Sequence, residues 1–193
     1  MGFIVVAIVV GLVIGLVRGG SVRHLADVTF RWWPVLAVGV GLQAMSSFVR
    51  GGTGIALLIA SFGLLLAFAG ANIQFAGFGV VVIGIALNVV TITVNEGMPV
   101  RAEAIVAAGI AEWSEVPDLN YGTKRHLERP DDQLMVISDI IPVPGLKQVL
   151  SFGDIVLSVG VADLIMHLLR PRRRPRGLRT EFTQEASAQP GNG

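Results

Sequence analysis

The chain has no cysteine, a single tyrosine and, across residues 1–100, only Arg18, Arg23, Asp27, Arg31, Arg50 and Glu96 as charged side chains. Without cysteine there is no disulfide framework, thiolate metal site or thiol nucleophile, and the redox compartment stays open. The shortage of charge excludes an ordinary soluble domain. Charged residues make up 15% of the chain and apolar ones 52%, with a mean hydropathy of +0.68, against about 25% charged for a typical globular protein. No internal repeat is visible, so an inverted-repeat transporter is not supported. A basic segment ahead of the first apolar run is also missing. The exit Gly15-Leu16-Val17-Arg18 offers no small-x-small cleavage site, so the first segment reads as a retained helix rather than a signal peptide.

What is present is apolar sequence in long runs. Five candidate membrane spans emerge at residues 2–17, 32–49, 55–71, 75–94 and 152–169, each near the length that crosses a thin bilayer. Trp32-Trp33-Pro34 opens the second span as an interfacial aromatic pair with proline in the first turn. Small residues recur at four-residue spacing, as Gly11-Gly15-Gly19 and Gly63-Ala67-Ala71, which lets helix backbones approach closely in lipid. Packing within one chain is the plainer reading of these stripes, and a face between two copies is the other.

Charge then sets orientation. The loop from Arg18 to Arg31 carries three arginines and one aspartate, and the segment from Arg170 to Arg179 carries six arginines and no acid. With five spans both fall on one side, cytoplasmic by the positive-inside rule, which leaves the N-terminus outside. The block 95–148 falls outside too, with five basic residues against nine acids. Within it, Pro99–Glu112 suits a short helix lying on the membrane, Trp113–Asp132 a polar loop, and Leu134–Ile141 a strand or short re-entrant piece. Residues 1–169 form one transmembrane domain in this reading. Residues 170–193 form a basic cytoplasmic tail, disordered at its end, that contacts anionic lipid headgroups. The expected fold class is therefore all-α integral membrane, about five transmembrane helices, with an outer loop block and a re-entrant or surface segment before the last helix. The location is the cell membrane. No nucleic-acid role is expected of the basic run.

Chemistry concentrates between Leu134 and Leu169. Asp139 precedes the turn Pro142-Val143-Pro144-Gly145, and Asp154 stands at the mouth of the last apolar run. Ser151-Phe152-Gly153-Asp154 matches a capping box, which explains Asp154 structurally. Two carboxylates at one interface could also share a proton, one activating water and the other polarising a carbonyl. Asp163 and His167 stand four apart on the last helix. They read either as a self-neutralising pair or as an intramembrane proton or ion pathway. Asn88 and Gln43 read as interhelical hydrogen-bonding groups. His24, His126 and His167 are scattered rather than arranged as metal ligands, so neither metal nor cofactor is expected.

Three features resemble a bacterial multi-pass membrane family known only as a domain of unknown function. They are the first span closed by Arg18-Gly19-Gly20, the exit Asn95-Glu96-Gly97-Met98-Pro99-Val100, and Asp139-Ile140-Ile141-Pro142 leading to Phe152-Gly153-Asp154. This resemblance implies membrane location and no activity. A remoter likeness is to lipoprotein signal peptidases, which are membrane aspartic proteases. Asn95 and Gly97 are similar to their Asn-x-Gly motif, Asp139-Ile140 to their Asp-Phe-Ile motif, and Leu150–Asp154 with Leu157 and Gly160 to the motif opening their last span. That likeness implies Asp139 and Asp154 as a catalytic pair, with Asn95 and Gly97 positioning substrate. The departures are Ser151 where that motif has asparagine, and the absence of a Gly-Asn-x-x-Asp-Arg motif. The expected role is a small membrane scaffold or binding module, its partners being membrane lipids and either another membrane protein or a second copy. An aspartate-dyad hydrolase is the alternative, and a pathway through Asp163 and His167 the second.

Overall fold

The computed structural model describes residues 2–49 and 51–170. Five helices carry the apolar runs: α1 (Gly2–Val17), α2 (Trp33–Ser46), α3 (Gly52–Ala71), α4 (Phe78–Asn95) and α6 (Phe152–Leu168). Between α4 and α6 lie strand β1 (Met98–Val100), the short helix α5 (Ala102–Ala107), and strands β2 (Arg125–Leu127), β3 (Asp139–Val143) and β4 (Gln148–Ser151). The chain is mostly helical, and α3 and α4 are long and apolar enough to cross a membrane. α1 and α2 are apolar but shorter.

The principal helix neighbours run α2–α3–α4–α6–α1, so the last helix inserts between the fourth and the first. Both seams of α6 depend on absent side chains. A Cβ on Gly84 would collide with the backbone of Leu157, one on Gly153 with the Asn88 amide, and one on Gly11 with the Ala162 carbonyl. Backbones this close gain dispersion contact that larger residues would forbid. The core of the α3–α4 side is conventional, with Leu58, Phe62, Phe68, Phe78, Val81 and Ile85 buried together. At its lower end Phe30 meets Phe68, Phe75 and Phe78 edge-on, at centroid distances of 6.0, 5.4 and 5.9 Å, the geometry that aromatic quadrupoles favour.

The two ends of the bundle are built differently. At one end the Ser21 amide and His24 Nδ1 lie 2.9 and 2.8 Å from the Leu169 carbonyl, so the loop after α1 closes the end of α6. There Asn72 also clasps the Arg31 backbone, accepting from its N–H and donating to its carbonyl, both at 2.8 Å. At the other end sits the block that follows α4. Thr123 donates to the Val49 carbonyl at 3.1 Å, and Gly2 lies beside Gln148. The arginine-bearing loop and the end of α6 thus share one end, and the block 95–148 occupies the other.

That block corrects the all-α expectation. It is a four-stranded mixed sheet of order β2-β1-β3-β4, with β1 parallel to β2 and β3 and with β3 antiparallel to β4. The polar stretch expected as loop supplies β2. The segment expected as strand or re-entrant piece becomes a 3-10 turn at Met135–Ile137 followed by β3. The helix expected on the membrane surface shrinks to α5, which buries Ala104 and Ile105 against Val100, Val116 and Val149. Strands of three to five residues leave no alternation to read, and parallel pairing joins segments distant in sequence. Residues 171–193, where the basic tail was expected, lie outside the described residues.

Candidate functional site

The site forms where β4 becomes α6. Ser151 keeps an extended backbone and caps the helix, its Oγ accepting from the Asp154 amide at 2.9 Å. Asp154 Oδ2 reaches back to the Ser151 amide at 3.5 Å, closing the capping box. Asn88 extends this cap into α4: its Nδ2 donates to Asp154 Oδ1, and its Oδ1 accepts from Ser151 Oγ, each at 2.8 Å. Gly153 leaves the room that this amide fills. The result is a buried polar knot tying two helices to one strand.

Asp139 begins β3, paired in register with Val100, and its side chain is 1% exposed. Arg125 reaches it from β2, with Nε 2.7 Å from Oδ2. The contact is short, yet among the described residues neither carboxyl oxygen has an aligned hydrogen-bond donor. Arg125 therefore acts mainly through its charge, and that charge does not offset desolvation. Burial pushes the Asp139 carboxyl up to about 7, Arg125 pulls it down, and the Asp154 carboxylate pushes it up again. Lys124 shifts below its ordinary value, first through burial and then through the Arg125 charge.

A cleft of about 110 Å³ opens between the first turn of α1, β4 and the first turns of α6. Phe3, Ile4, Arg125, Gln148, Asp154 and Ser158 are among its lining. Gln148 Oε1 is buried with no donor among the described residues. Arg125 and Gln148 also border a second hollow of about 180 Å³ that extends to Tyr121 and Lys147. Arg125 thus stands between two cavities while contacting Asp139.

The other expected residues have separate surroundings. Asn95 donates to the Thr91 and Gln133 carbonyls, both at 2.9 Å, and accepts from the Gln133 amide at 2.7 Å. Its amide is committed to holding the loop that follows β2. Gly97 has a φ of 149°, and a Cβ there would stand 2.9 Å from His126 Nδ1. Asp163 and His167 pair at 3.1 Å, each 35% exposed. Sequence reasoning missed Arg125, which lies in a run of charges with nothing to mark it. It also missed the His126–Asp132 contact at 3.0 Å, itself braced by the Arg129 amide at 2.7 Å from Asp132.

The chain is mostly helical, with two helices long and apolar enough to cross a membrane, joined to a four-stranded sheet. A family of unknown function (DUF5317) matches residues 27–166, and the chain belongs to that family. No curated protein and no solved structure matches it. The likeness to lipoprotein signal peptidases therefore rests on the sequence motifs alone.

Proposed function

We propose that the chain is a multi-pass membrane protein crossing the bilayer five times, and that its sheet-bearing cap on the outer face is a binding module. The supporting observation is the side-chain arrangement of α1, which buries Ala7, Gly11 and Gly15 and exposes Val5, Val9, Val13 and Val17. A helix with small residues inward and branched aliphatics outward is stable only where the surroundings are themselves apolar. Val38 and Val40 on α2, and Ile83, Val90 and Val94 on α4, continue that exposed belt. The short helices α1, α2 and α6 then span with local thinning of the bilayer. The arginines between α1 and α2 face the cytoplasm, and the N-terminus and cap face outward. Reporter fusions at Tyr121 and Gly193 test this directly: opposite sides are expected, and signals from the same side would remove both topology and outward cap.

A second reading is favoured by one observation, the push that the Asp154 carboxylate exerts on the buried Asp139 carboxyl, which is raised to about 7. In that reading the two carboxylates share a proton and activate water against a peptide or ester at the membrane surface. Hydrolysis of a membrane-anchored peptide library that disappears in Asp139→Asn, at unchanged protein abundance, is the expected result. No turnover by the wild type would retire the hydrolase and leave the binding module.

A further inference from the structure

We propose that the cleft between the first turn of α1 and the first turns of α6 holds the headgroup of a primary-amine zwitterionic phospholipid, its ammonium on Asp154 and Gln148 and its phosphate on Arg125. The inference rests on the membrane reading above and names a ligand for it.

The cleft has acceptors that the protein leaves underused. Asp154 Oδ1 is taken by Asn88, whereas Oδ2 meets only the Ser151 amide at the long distance of 3.5 Å. Among the described residues Gln148 Oε1 is buried without a donor, a desolvated acceptor that a ligand N–H would satisfy. Both residues line the same cavity. A ligand carrying several N–H donors satisfies both, as a primary ammonium does.

The cleft also has a donor. Arg125 spends Nε on Asp139, and one terminal nitrogen lies 3.4 Å from the Val149 carbonyl. The other terminal nitrogen has no partner among the described residues, and the side chain is 45% exposed. Guanidinium suits phosphate oxygens.

Charge selects between headgroups. Arg125 brings one positive charge to the cleft and Asp154 one negative. A zwitterion meets both, whereas an anionic headgroup would pair with Arg125 and leave Asp154 without a cation. A trimethylammonium carries the same charge but no N–H, and leaves Gln148 Oε1 unsatisfied. The apolar wall continues outward: Ile4 lines the cleft, and Ile4, Val5 and Val9 are exposed along α1. Acyl chains descending from the headgroup would lie on that column.

The experiment uses the purified full-length chain in mild detergent, with equal amounts of phosphatidylethanolamine, phosphatidylcholine and phosphatidylglycerol, and reads retained lipid by native mass spectrometry. Phosphatidylethanolamine should be retained roughly tenfold over either competitor, the worth of one charge-assisted hydrogen bond. Asp154→Asn keeps the helix cap and should lose that preference. Ser158→Met fills the cleft and should lose the bound lipid. Equal retention of the three lipids, preference for phosphatidylglycerol, no retained lipid, or an unchanged preference in either variant would overturn the proposal. Alkaline carbonate extraction of native membranes separates the two levels. A chain released by carbonate ends the membrane reading as well, whereas an integral chain without headgroup preference ends only this one.

Discussion

Along α1 the residues turned inward are Ala7, Gly11 and Gly15, and those turned outward include Val5, Val9 and Val13. Across the cap the order reverses. Val100, Ile105 and Val149 are buried, while Glu103, Glu112 and Asp118 face out. One chain therefore follows two sorting rules. In the cap, apolar area leaves water and drives folding. Between α1 and α6 there is little apolar area to remove from anything, so contact depends on how closely two backbones can lie. The boundary between these regimes is the β4–α6 junction, where Ser151, Asp154 and Asn88 sit, and polar groups at such a boundary must satisfy one another.

The largest test of this contrast is Gly84→Leu. The new side chain would push against the Leu157 backbone rather than a movable side chain, so α4 and α6 must separate. A loss on the order of 3 kcal/mol or more, or failure to accumulate, is expected. Gly63→Leu is the control, since nothing lies within 4 Å of a Cβ there, and its melting temperature in detergent should barely move. If Gly63→Leu proves as damaging as Gly84→Leu, the stripe of Gly63, Ala67 and Ala71 packs against a second copy.

The next effect belongs to the cap and has a sign. The carboxyl of Asp139 titrates near 7 when folded and near 3.8 when exposed, so between those values the folded state holds a proton that the unfolded state has released. Stability therefore falls as pH rises across that window and levels off above it. The folded pKa implies a penalty of roughly 4 kcal/mol at alkaline pH. Asp139→Asn should abolish the slope and raise stability above pH 7, read by denaturation in detergent across that range. A wild-type slope of the opposite sign would mean that Arg125 outweighs burial.

This boundary also explains what could be read in advance. The five helices lie where uninterrupted apolar sequence lies, because length and hydropathy are additive along a helix. The Ser151–Asp154 capping box was legible for the same reason, being local. The sheet was not: β1 is Met98-Pro99-Val100, three residues beside a helix end, and its partners Arg125–Leu127 and Asp139 come from distant segments. Arg125 was invisible because its meaning comes from β2 lying beside β1. Asn95 was visible as an unusual residue at a helix exit. Its bonds to Thr91 and Gln133 depend on where the following loop returns, and one sequence does not contain that information.

A smaller effect is expected at the boundary itself. Asn88→Ala removes a donor to Asp154 and an acceptor from Ser151, and the vacated space lies between two helices. A destabilisation of about 2 kcal/mol is expected, with most of it from buried groups left unpaired. A loss under ~0.5 kcal/mol would show that water replaces the amide, and that the junction is wetter than its burial suggests.

The smallest change in stability should come from Asp154→Asn, and it bears on the most readings. Asparagine caps a helix nearly as well as aspartate, and its carbonyl can still accept from Asn88, so a shift under ~0.5 kcal/mol is expected. Its charge is a different matter. The Asp154 carboxylate is one of the causes that hold the Asp139 carboxyl high, so the substitution should lower that pKa and shift the stability slope of Asp139 to lower pH. Measuring the slope in wild type and Asp154→Asn therefore tests the electrostatic coupling of the two aspartates without any substrate. An unmoved slope would leave Asp154 as a helix cap beside an independent buried acid, and the shared-proton hydrolase would lose its physical basis. A slope that moves, at unchanged stability on the acid side, would show that the Asp154 charge acts on the buried Asp139 carboxyl.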